Sequence, residues 1–127
     1  MGFGKLILFG ALSSLCNTAA NALWKSEFAV RPIEFSSLQK ILSTFFSLPI
    51  LAGIFFYIAS MMIFFYLLSN FKLSMVIPVL SLTYLFNMVS AVAIFKEKIS
   101  GYQITGTAVI IIGIILISQA PLTDKLN

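Results

Sequence analysis

Four long apolar stretches leave this chain one solvent to fold in, the lipid bilayer. They cover residues 6–24, 45–68, 73–95 and 104–117, the last extending to about 120 with help from 101–103. A helix of about 20 apolar residues crosses the hydrocarbon core, so each stretch is a spanning candidate. With no water to satisfy backbone groups inside the bilayer, each span must be helical. The expected fold is an all-α membrane protein, one transmembrane domain over residues 1–127 with four helices at about 6–24, 45–68, 73–95 and 101–120.

Composition narrows the function. Charged residues make up 9% of the chain, against about a quarter in soluble proteins. There is no histidine and a single cysteine, Cys16, so neither a nucleophile–base pair nor a zinc or iron–sulfur site can be assembled. No phosphate-cradling Gly-x-x-x-x-Gly-Lys motif occurs, which excludes ATP-driven pumping by this chain. An enzyme is not expected, and no cofactor or metal is.

The net charge of +4 reads as topology and attraction to anionic headgroups, not as a nucleic-acid surface. Lys5, Lys72 and Lys125 share one side of a four-span protein. Lys25, Arg31, Lys40, Lys96 and Lys98 share the other, which the positive-inside rule places in the cytoplasm.

Polar residues inside a span are costly against lipid and therefore mark function or helix contact. Residues 6–24 carry two stripes at four-residue spacing. Gly10, Ser14, Thr18 and Ala22 form a small face suited to close helix approach. Ser13, Asn17, Asn21 and Lys25 form a polar one about 100° around the axis. The loop over residues 26–39 holds Glu27, Arg31 and Glu34, and Arg31-Pro32 interrupts any continuous helix. Residues 45–68 are rich in Phe, fitting either a lipid-facing helix or a groove for an acyl or prenyl chain.

The third stretch contains Pro78, which removes a backbone donor and is expected to kink the helix. Ser81, Tyr84 and Asn87 follow on one expected face, where hydroxyls, an amide and freed carbonyls can meet a polar substrate at the midplane. In the fourth stretch Gly106 and Gly113 lie seven residues apart, a close-packing face within the monomer or across a dimer. No acidic residue lies within a span; Glu97, at the end of the third, comes nearest.

Ile77-Pro78-Val79-Leu80-Ser81-Leu82, then Phe95-Lys96-Glu97-Lys98-Ile99-Ser100, then Gly106 and the aliphatic run over residues 110–117 are similar to a repeat of the drug/metabolite transporter superfamily. Ala20-Asn21-Ala22-Leu23-Trp24-Lys25 resembles its small four-helix members, in particular the subunits proposed to flip aminoarabinose-linked undecaprenyl phosphate across the bacterial inner membrane. The multidrug branch has a membrane-embedded Glu in its first helix. None stands between residues 6 and 24 here.

The resemblance implies a multi-pass transporter subunit of the bacterial inner membrane that flips or carries a polyprenyl-phosphate-linked sugar. Four helices supply one repeat, so a homodimer or a heterodimer with a second small membrane subunit is implied, with Gly106 and Gly113 as the contact. Asn17, Asn21, Ser81, Tyr84 and Asn87 are the expected headgroup ligands. Lys25 and Arg31 are the expected phosphate ligands, with Pro78 and Glu97 structural or gating. Other readings stand beside these. Lys25 suits a snorkelling topology residue, and Asn17 and Asn21 suit helix bridging. The alternatives to a flippase are a small multidrug-type exporter of cations or metabolites and a non-transporting partner of a glycosyltransferase.

Overall fold

The computed structural model describes residues 2–119 and folds them into helices and short connections. The elements are α1 (Phe3–Val30), α2 (Leu38–Phe45), α3 (Leu48–Asn70), α4 (Leu73–Leu80), α5 (Leu82–Ala93) and α6 (Gly101–Ser118). Three segments are long and apolar enough to cross a membrane: Phe3–Val30, Leu48–Asn70 and Leu73–Ala93, the last being α4 and α5 together. The fourth apolar helix, Gly101–Ile117, is shorter. The expected fourth span reached Ala120, which lies outside the described residues, as do Lys125 and the rest of 121–127.

Helix α1 is the central element. It lies antiparallel along α3, with Leu6 near Leu67, Ser13 on Ser60 and Trp24 on Ile50. It runs parallel to α4 and α5, with Gly10 under Val79 and Asn21 on Asn87. Helix α6 returns on the far side, touching α4 and α5. Lipid tails are as apolar as leucine, so close packing and polar contacts hold such helices together. Two glycines carry that packing. A Cβ at Gly10 would lie 2.4 Å from Val79 Cγ1, and one at Gly53 would lie 2.2 Å from the Trp24 indole nitrogen. Leu8, Phe55 and Val109 are among many large apolar side chains that face outward, a surface suited to acyl chains.

The element bounds differ from the sequence expectation in ways the backbone explains. Helix α1 continues six residues past Trp24, because nothing breaks it before Arg31, where Pro32 forces φ −128° and ψ 81°. Its 28 residues make a rod of about 42 Å, longer than the hydrocarbon core, so its last turns reach the interface. The first connection is correspondingly short, and α2 fills much of it. The second span starts at Leu48 rather than residue 45, since Pro49 suits a first helical turn, where no backbone donor is needed.

The third span breaks at Ser81, three residues beyond Pro78. There the Ser81 N–H reaches both Ile77 O at 3.2 Å and Pro78 O at 3.0 Å, and Tyr84 N–H bonds Ser81 O at 3.0 Å. Helix α6 opens on a capping box: Gln103 N–H donates to Ser100 Oγ and Ser100 N–H to the Gln103 side chain.

Candidate functional site

The polar stripe of α1 does not stay on one side. Four-residue spacing advances about 40° per step around a helix, so three steps turn the stripe by about 120°. Ser13 therefore meets α3, while Asn21 and Lys25 meet α5 and the turn after it. Ser13 Oγ lies 2.9 Å from Ser60 Oγ. The Asn21 amide donates to Asn17 Oδ1 at 3.1 Å and to Asn87 Oδ1 at 3.4 Å. Lys25 forms an ion pair with Glu97 and sits 4.9 Å over the centre of the Phe95 ring.

Three grooves converge on Asn87. The largest, about 630 Å³, runs between α1, α3, α4 and α5. Ser13, Asn17, Ser60, Thr83, Tyr84 and Asn87 make its polar wall, and Met61, Phe64, Phe65, Ile77 and Leu80 its apolar wall. Tyr84 and Phe65 are 64% and 52% exposed, so the groove opens sideways between α3 and the α4–α5 segment. A second groove of about 220 Å³ is bounded by Asn21, Lys25, Asn87, Ser90 and Phe95. A third of about 400 Å³ lies between α5 and α6, lined by Tyr84, Asn87, Glu97, Lys98, Gln103 and Gly106 among others. The combination is amphiphilic: amides and hydroxyls on one side, aromatic carbon on the other.

Asn17, Asn21, Lys25, Tyr84, Asn87 and Glu97 are thus brought together. Ser81 is not. The break at its own position turns it away from Tyr84, onto a groove of about 250 Å³ shared with Ile77, Pro78 and Gly113 of α6. Its hydroxyl donates back to Ile77 O at 3.3 Å. The shared face expected for Ser81, Tyr84 and Asn87 assumed an unbroken helix. Arg31 also stands apart. It caps α1, pairs with Glu27 at 3.6 Å and borders none of these grooves. Gly106 and Gly113 are not tight contacts inside the monomer, since a Cβ on either meets nothing within 4 Å.

Ser60 escaped the sequence reading, although it is the one Ser or Thr between residues 48 and 68. The Phe-rich stretch fitted either a lipid-facing helix or an acyl-chain groove, and which of Tyr57, Phe64 and Phe65 face a groove depends on how α3 is rotated.

Residues 7–119, nearly the whole described chain, match the EamA-like transporter family. This chain belongs to the EamA-like transporter family. Membership places it in the drug/metabolite transporter superfamily and makes it a multi-pass membrane transporter. No curated protein and no solved structure matches the chain. In this EamA-like protein the polar seam joins the elements that carry the superfamily resemblance: the Ala20–Lys25 stretch of α1, the Pro78-containing segment, and the Lys96-Glu97-Lys98 turn.

Proposed function

We propose that this EamA-like protein is a subunit that moves a polyprenyl-phosphate-linked sugar across the bacterial inner membrane, with α6 as its fourth span. The observation carrying this reading is the two-sided groove at Asn87. A lipid-linked sugar must keep its tail in hydrocarbon while its hydroxyls and phosphodiester cross. The lateral opening beside Phe64 and Phe65 suits the tail, and Asn17, Asn21, Tyr84 and Asn87 offer donors and acceptors to the headgroup. Lys25 offers a compact cation for the phosphate. Its side chain is 48% exposed, which leaves room for that contact. Arg31 belongs, in this reading, to the mouth of the path rather than to the seam.

A second copy or a second small subunit completes the path, seated on the open Gly106–Gly113 face of α6. The fold supplies one repeat, whereas sites in such transporters form between repeats.

Native mass spectrometry from gentle detergent tests the reading with a polyprenyl phosphate carrying one hexose. The wild type is expected to retain it, and Asn21→Leu and Asn87→Leu to lose it. Equal retention by all three, or none by the wild type, overturns the reading.

Export of small cations keeps one supporting observation, that Glu97 borders the groove between α5 and α6. Its carboxylate is already paired with Lys25, which weakens its claim on a cation. Protection against cationic dyes that disappears in Glu97→Gln selects this second reading.

A further inference from the structure

Lys25 and Glu97 meet where two grooves touch. Lys25 borders the groove of about 220 Å³ and Glu97 the one of about 400 Å³, and Asn87 and Ala91 border both. The ion pair therefore stands between two grooves that share Asn87 and Ala91 as lining. We propose that it is an anion-operated latch: the phosphate of the cargo replaces Glu97 on Lys25, and the exchange joins the two grooves. This rests on the reading of the seam as a path for an anionic amphiphile, and it adds how that cargo is admitted.

The backbone builds the latch deliberately. Lys96 has φ 52°, the one non-glycine left-handed residue among those described. Such a conformation is uncommon without glycine and persists where surrounding structure enforces it. Here the turn is held by Lys96 N–H on Val92 O at 3.1 Å and Glu97 N–H on Ala91 O at 3.0 Å. The reversal carries Glu97 back toward α1, onto the side chain at the end of its polar stripe.

The pair is also built to exchange. Its two side chains are 48% and 43% exposed, so solvent screens the attraction and little holds it shut. When the carboxylate leaves, Lys25 keeps its place over the Phe95 ring, which attracts the cation independently. The ammonium has three donors, and a phosphate oxygen accepts from it as well as a carboxylate does. The freed Glu97 is not stranded, since Lys98 borders the same groove. A neutral sugar cannot replace the Glu97 carboxylate on Lys25, so the latch favours a phosphate-bearing headgroup over an uncharged one.

Purified full chain in nanodiscs tests this with two probes, a short-chain prenyl phosphate carrying one hexose and inorganic phosphate. Removing the competitor in Glu97→Gln or Glu97→Ala is expected to tighten binding of both probes about two- to five-fold, the range an exposed ion pair corresponds to. Lys25→Met is expected to weaken both at least about ten-fold, the loss of a charge-assisted contact. Because the pair is half exposed, these variants are expected to fold as the wild type does, which size exclusion and thermal unfolding verify.

Unchanged or weaker binding in both Glu97 variants, or failure of the wild type and those variants to bind either probe, overturns the latch. Tightening for inorganic phosphate alone keeps the latch and removes the lipid-linked sugar.

Discussion

Ser13 of α1 and Ser60 of α3 satisfy each other. The Ser60 hydroxyl donates to Ser13 O at 3.0 Å, Ser13 Oγ lies 3.1 Å from Ser60 O, and the two Oγ atoms are 2.9 Å apart. Both residues are buried, so the contact is a polar clasp where the groove begins. Interhelical hydrogen bonds in membranes contribute about 0.6 kcal/mol on average and up to about 1.7. A double-mutant cycle of Ser13→Ala and Ser60→Ala, read by unfolding in mixed micelles, is expected to return a coupling within that range. A coupling near zero contradicts the clasp.

Gly53→Ala tests the closest helix approach. The added methyl collides with the Trp24 indole, which packs beside Tyr57 and donates to Ile50 O at 3.2 Å. Overpacking of this kind costs about 1–3 kcal/mol. Trp24 is the only tryptophan, so its emission reports the displacement directly. Emission is expected to shift in Gly53→Ala and to stay unchanged in Gly106→Ala, where the methyl enters open space.

Gly113 supplies a separate test of assembly. Nothing lies within 4 Å of its Cβ position, which opens onto the groove shared with Ile77, Pro78 and Ser81, and a second subunit is expected to enter there. Gly113→Cys in a Cys16→Ser background is expected to crosslink between subunits in membranes. Absence of any crosslinked species contradicts the contact assigned to α6.

Glu34 and Lys40 fix the start of α2 through an exposed contact of 2.8 Å. The hydrogen bond and charge of Lys40 hold the Glu34 carboxyl below its ordinary range, and Glu34 raises Lys40 in turn. A lowered carboxylate contributes stability above its unfolded pKa and loses it as pH falls through the folded value. A raised ammonium contributes below its unfolded pKa and loses it as pH rises through the folded value. The contact is therefore expected to persist across neutral pH and to fade in strong acid and strong alkali. Hydrogen exchange across α2 checks this, and Lys40→Gln is expected to abolish both limbs.

The apolar stretches were legible because lipid demands length and hydropathy, and the helices fall where those stretches lie. The ends of the spans were less so. The apolar stretch ended at Trp24, yet a charge at an interface does not stop a helix, and α1 runs on to Val30 before Arg31-Pro32. The kink expected from Pro78 takes the form of a turn at Ser81, because a lost donor does not say where the chain will turn, and Ser81 borders a different groove from Tyr84 and Asn87. The Ser100–Gln103 capping box was readable as Ser-x-x-Gln before an aliphatic run. The rotation of α3, which brings Ser60, Phe64 and Phe65 to the groove, depends on packing around Gly53 and Trp24 and leaves no periodic signature. The Lys25–Glu97 contact depends on the left-handed turn at Lys96, a backbone state that lysine does not announce.

If the seam at Asn87 is wet and reachable by a headgroup, cysteine labelling at Thr83 detects it. Thr83 borders the large groove, whereas Leu8 is 66% exposed on the outer surface. In a Cys16→Ser background, Thr83→Cys is expected to react in intact membranes with a water-soluble thiosulfonate, and Leu8→Cys to remain inert. If Thr83→Cys is as unreactive as Leu8→Cys, the groove is sealed from water and the seam at Asn87 is not a transport path.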